Sequence, residues 1–141
     1  MVHALEEIRR VLARNGILID LRPLADRLPV EVVSASETRR AGLVDQLPED
    51  VAKDETANRS IAQAEERDWF TRELEEFFPF NYYWDSPKEM QEYVEGEWAD
   101  FITIDEKVLQ NARSIWAVAN ADARVRIPLK MLITRWRKQR A

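Results

Sequence analysis

Leu5-Glu6-Glu7-Ile8-Arg9-Arg10-Val11-Leu12-Ala13-Arg14-Asn15-Gly16-Ile17-Leu18-Ile19-Asp20-Leu21 sets the architecture of this chain. Leu5, Ile8, Val11 and Leu12 recur at the three- and four-residue spacing of one helix face. Glu6 and Glu7 come early and Arg9, Arg10 and Arg14 late, the order that a helix dipole favours. Asn15-Gly16 stops the helix, and Gly16 is expected in the left-handed cap conformation, which costs it nothing sterically. Ile17 to Leu21 then reads as a short strand bounded by Arg22-Pro23. Its nearly unbroken apolar character points to cover on both faces, as in parallel or mixed sheets.

Downstream, Pro29 to Ala35 and Thr38 to Gln46 read as two strands of a hairpin around Ser34 to Glu37. Pro48 to Arg67 is rich in acids and alanine with a weak apolar stripe, which predicts a mostly exposed helix. Trp69 to Trp84 concentrates aromatic residues and favours a strand, with Pro79 placing it at an edge or bulge. Ser86-Pro87-Lys88-Glu89 starts a helix with Met90, Tyr93 and Val94 inside: Ser86 caps, Pro87 needs no N–H there, and Glu89 closes the box. Thr103 and Glu106 repeat the cap-box spacing ahead of the stripe Val108, Leu109, Ala112, Ile115, Trp116 and Ala119. At the end, Val125, Ile127, Leu129, Met131 and Ile133 alternate with other residues as one strand face, and Pro128 again suggests an edge or bulge.

With 141 residues, 45% of them hydrophobic, the chain can build a real core, and residues 1–141 are expected to form a single domain. The net charge of -5 sets the protein as a whole against polyanions, so nucleic acid is not the expected partner. With no cysteine and one histidine, His3, the chain lacks disulfides, thiol nucleophiles and Cys/His zinc sites, and a Ser-His-Asp triad has no well-placed base. Gly16, Gly42 and Gly96 lie too far apart for a Gly-rich phosphate loop or a dinucleotide fingerprint. No run of 18 apolar residues and no signal-peptide pattern occurs, so no membrane partner is expected and a cytoplasmic location is.

The segment Ala4 to Ile19 resembles the part of class I (Rossmann-like, type 11) S-adenosylmethionine-dependent methyltransferases where a helix ends in a glycine-containing turn before the fifth sheet strand. Ala13-Arg14-Asn15-Gly16 stands where that family usually has Pro-Gly-Gly. The resemblance extends loosely over the rest: a long helix, an aromatic strand from Phe77 to Trp84, a Ser-Pro-capped helix, and a last strand that would pair antiparallel to the aromatic one. It implies an α/β or α+β fold, a small mixed sheet with packed helices like the rear half of that domain. The family's Gly-rich cofactor loop and its ribose-holding acid have no counterpart in these residues. The expectation is a methyltransferase-like, non-catalytic protein-interaction or regulatory module. The alternative is the C-terminal part of an active methyltransferase completed by another polypeptide. No cofactor is expected on the isolated chain, and S-adenosylmethionine only with such a partner.

Asp20 and Arg22 share one side of the first strand near its carboxyl end, where open α/β sheets bind ligands, and are the candidate ligand or partner surface. No catalytic, cofactor-binding or metal-binding residue is assigned. Seven basic residues without an acid crowd the C-terminus (Arg124, Arg126, Lys130, Arg135, Arg137, Lys138, Arg140). They form either a phosphate-attracting stripe or the counterpart of the acidic stretch Asp45 to Glu76. The edge of the Ile17–Leu21 strand invites a homodimer, unless the hairpin folds back to cover it.

Overall fold

The computed structural model describes residues 2–140. In chain order the elements are α1 (Val2–Val11), β1 (Ile17–Pro23), β2 (Leu28–Val33), β3 (Thr38–Val44), α2 (Pro48–Glu66), β4 (Phe70–Trp84), α3 (Pro87–Glu97), α4 (Glu106–Ala117) and β5 (Arg124–Lys138). The strands make one small sheet with neighbours β1, β5, β2 and β3 in that order, and β4 also pairs with β5. The registers of β1 with β5, β2 with β5 and β2 with β3 are antiparallel. The expected fold class is therefore formed as its α+β variant. The chain folds as two compact units: one holds the residues up to Leu24, Val51–Phe78 and the residues from Lys130, the other Ala25–Asp50 and Pro79–Leu129.

In the first unit, Leu5, Ala64, Phe70 and Trp136 are buried together, with Ile8, Leu12, Leu18 and Ile61 packed against them. Leu5, Ile8 and Leu12 thus face inward as their spacing announces, while Val11, the fourth member of the stripe, is 67% exposed. The stop of α1 differs from the expectation. Asn15, at φ 59°, takes the left-handed position, and Gly16 does not. Asparagine tolerates that conformation because its short polar side chain can bond locally. Gly16 is needed for space instead, since a Cβ there would lie 2.9 Å from the Ala13 carbonyl oxygen. A second correction concerns β1. Leu18 points into the core, while Ile17, Ile19 and Leu21 are 45%, 50% and 55% exposed, so only one face is covered. An antiparallel sheet needs cover on one side only, and a strand apolar on both faces then leaves one set in water. α2 is mostly exposed, as its composition predicts, burying only Ser60 and Ala64.

The second unit is built on Val30, Val44, Met90, Ile102, Leu109, Val125 and Ile127. The expected hairpin is present as β2 and β3, with a bulge between Val30 and Glu31. It pairs onward with β5 and does not cover β1. α4 lies flush on β3 at Gly42, where a Cβ would stand 2.7 Å from Val108 Cγ2. Asn111 Nδ2 also donates to the Ala41 carbonyl at 3.0 Å. Ser86 caps α3 by accepting from the Glu89 N–H at 3.2 Å, while Glu89 accepts from the N–H of Asp85 instead of that of Ser86. α4 starts later than the Thr103 box implies. Its N-cap is Asp105, without a side-chain bond, because Ile102 is still extended in a bridge to Gln46.

β5 departs from the single apolar face read in its alternation. Val125 and Ile127 are buried in the second unit with Leu129 packed against the same core, but Leu132, Thr134 and Trp136 are buried in the first, so the inward parity changes after Leu129. Pro128 lies between the stretch registered with β2, up to Arg126, and the stretch registered with β1, from Met131. A residue without an N–H fits such a gap even in a strand flanked on both sides.

Candidate functional site

Asp20 and Arg22 are brought together as expected, and α2 adds two partners. Arg22 Nε donates to Asp20 Oδ2 at 3.1 Å, Nη1 to Asp54 Oδ1 at 2.9 Å and Nη2 to Asn58 Oδ1 at 2.6 Å. Asp54 and Asn58 stand one helical turn apart, which sets both on one face of α2. That i, i+4 spacing was the sequence signal for them, and the weak apolar stripe of α2 hid it. The cluster adjoins a cavity of about 150 Å³ that Ile61, Thr134 and Trp136 also line. With both carboxylates and the amide on one guanidinium, its charge is spent within the fold. Chemically the group ties β1 to α2 and offers no uncompensated cation to an anionic ligand.

The C-terminal basic run is divided by the fold. Arg137 donates through Nε and Nη2 to the two carboxylate oxygens of Glu73, and Arg135 Nε lies 3.1 Å from Oε2 of the same carboxylate. Arg126 pairs with Glu31 at 2.7 Å and Arg124 with Asp85 at 3.2 Å. Lys130 rests on the Phe77 ring, 5.3 Å from its centre. Glu73, within the acidic stretch, thus neutralises the middle of the stripe, and Lys138 and Arg140 remain outside these pairs.

The hydrogen bond from Arg137, opposed by desolvation and helped by the charges of Arg137 and Arg135, holds the Glu73 carboxyl below its ordinary value of 4.5. A carboxyl depressed in the folded state stabilises the protein above its unfolded pKa, and that contribution is lost as pH falls through the folded value. Glu73→Gln is therefore expected to lower stability at neutral pH and to shrink its loss below about pH 4.5. Urea midpoints measured from pH 7 to pH 3 check this. Parallel curves for the two proteins would show that Glu73 does not contribute to the acid limb.

The aromatic strand divides as well. Tyr82 and Trp84 pack with Tyr93 and Trp98, the Tyr82 and Trp98 rings edge-on at 4.7 Å. Phe77, Phe78 and Phe80 are exposed. His3 is a solvent-exposed side chain with Nδ1 3.2 Å from Glu6 Oε2. Among the described residues no group of three or more His, Cys, Asp or Glu side chains is placed to hold a metal ion. Among them, too, no helix is long and apolar enough to cross a membrane. No family model, no curated protein and no solved structure matches the chain.

Proposed function

We propose that the chain is a cytoplasmic protein-interaction module, methyltransferase-like in build and without catalysis of its own, whose interacting element is β1. One observation carries this reading: Ile17, Ile19 and Leu21 expose about half of their surface on a strand that pairs, among the described residues, only with β5. An open strand edge beside apolar side chains is the usual template for strand addition. The partner is a second copy, because a twofold axis lets each chain supply the same edge to the other. The methyltransferase-like build draws on the helix–turn–strand order of α1 and β1 and on the pairing of the last strand with the aromatic one. A second reading, the C-terminal part of a methyltransferase completed by another polypeptide, uses the same edge, since a completing sheet would pair there.

Sedimentation across a concentration series and calorimetric titration with S-adenosylmethionine test both readings. We expect a dimer that Ile19→Lys with Leu21→Lys dissociates, and S-adenosylmethionine binding on the order of millimolar or weaker. A mass of one chain at every concentration would remove self-association. A dissociation constant in the low micromolar range would overturn the non-catalytic reading in favour of the enzyme.

A further inference from the structure

Arg9, Arg14, Lys138 and Arg140, cations without a carboxylate partner among the described residues, collect in one place. The end of α1 and the end of β5 border a cleft of about 690 Å³ lined by Arg9, Arg10, Arg14, Lys138 and Arg140 against the single acid Glu6. Trp69 forms part of its wall. Arg10 is bound to Glu7 at 2.9 Å, and Lys138 Nζ donates to the Leu12 carbonyl at 2.6 Å. Arg9, Arg14 and Arg140 make no ion pair among the described residues. Arg9 is the informative one. Its guanidinium sits 5.5 Å from the centre of the Trp69 ring, and its Nε is buried without a hydrogen-bond partner. A buried donor left unmade is costly, and the Arg9 guanidinium lines the cleft beside the Trp69 ring.

We propose that this cleft binds a small molecule carrying a diphosphate or triphosphate group. Guanidinium forks match phosphate oxygens in pairs, and a diphosphate or triphosphate offers several such pairs and several charges to the arginines of one cleft. The volume suits a molecule of nucleotide size. Arg67 also lies over Trp69, at 5.0 Å, so two guanidiniums attend its ring and the recognition rests on charge and not on base stacking. The net charge of -5 does not oppose it, because acids more than about 10 Å away are screened at physiological salt. The site is independent of the β1 edge and of any S-adenosylmethionine binding.

Calorimetric titration of the full chain with inorganic pyrophosphate and with adenosine triphosphate, at about 0.15 M salt and again at higher salt, tests it. Saturable one-to-one binding on the order of 10 to 100 µM is expected, weakening as salt rises. Arg9→Gln is expected to reduce affinity about tenfold or more. Arg14→Ala with Arg140→Ala, at exposed positions that leave the fold intact, is expected to do the same and keeps the test decisive if the Arg9 variant does not fold. Arg135→Ala, whose cation is already engaged by Glu73, should change affinity less than about twofold. Three results would overturn the proposal. They are no saturable binding at millimolar ligand, an equal loss in Arg135→Ala, or binding only to vesicles of phosphatidylcholine with phosphatidylinositol bisphosphate.

Discussion

Trp136→Ala is expected to destabilise the protein by about 3 to 5 kcal/mol, the range for emptying a buried aromatic site. The indole is 3% exposed and shares the core of the first unit with Leu5, Ala64 and Phe70. Its Nε1 donates to Thr134 Oγ1 at 2.8 Å, and Thr134 is itself buried. Alanine therefore leaves both a cavity and a hydroxyl deprived of its donor. Trp136→Phe separates the two losses, since most of the ring volume returns and the hydrogen bond does not; about 1 to 3 kcal/mol is expected to remain. Urea unfolding gives the totals, and hydrogen exchange locates them, with the β1 amides registered against Arg135 and Arg137 losing protection first. A loss under about 1 kcal/mol for the alanine variant would mean that the indole is not part of a packed core.

In the second unit the corresponding position is Met90, which has no exposed surface. Met90→Ala is expected to cost about 2 to 5 kcal/mol, the spread reflecting how far its neighbours collapse into the space. Collapse should be limited here, because Val30, Val125 and Ile127 are equally buried on strands whose positions the sheet holds. Met90→Leu keeps the volume and should cost less than about 1.5 kcal/mol. Tyr93→Ala, on the same helix but 36% exposed, should fall below Met90→Ala. Thermal and urea unfolding of the three variants give the ranking, and an order with Tyr93 above Met90 would place the centre of this core wrongly.

If cations at the α1 end bind phosphate while β1 pairs with a second copy, the two activities should separate by mutation. Variants of Arg14 and Arg140 would lose the anion and keep the dimer, and variants of Ile19 and Leu21 would do the reverse.

What this sequence determined by itself were the elements. The three- and four-residue spacing of Leu5, Ile8 and Leu12, the Ser86-Pro87 start of α3, the hairpin around Ser34 to Glu37 and the stripe Val108, Leu109, Ala112 all rest on local periodicity and local capping, so each could be read without the rest of the chain. The association of Asp20 with Arg22 was legible for the same reason, being two residues apart on one strand. Tertiary structure alone decided everything that depends on what lies opposite. β1 is apolar on both faces, but which of them meets water follows from where α1 and α2 pack. The parity change after Leu129 cannot appear in an alternation that looks continuous, because it depends on which core each half of β5 meets. Gly42 looks like any strand glycine until Val108 of α4 closes on it. The C-terminal cations read as one stripe, yet Glu73, 62 to 64 residues distant in sequence, takes Arg135 and Arg137. The cleft is lined instead by Lys138 and Arg140 with arginines from the other end of the chain. Charge is visible in a sequence, but which charges remain unpaired depends on distances that only the folded chain sets.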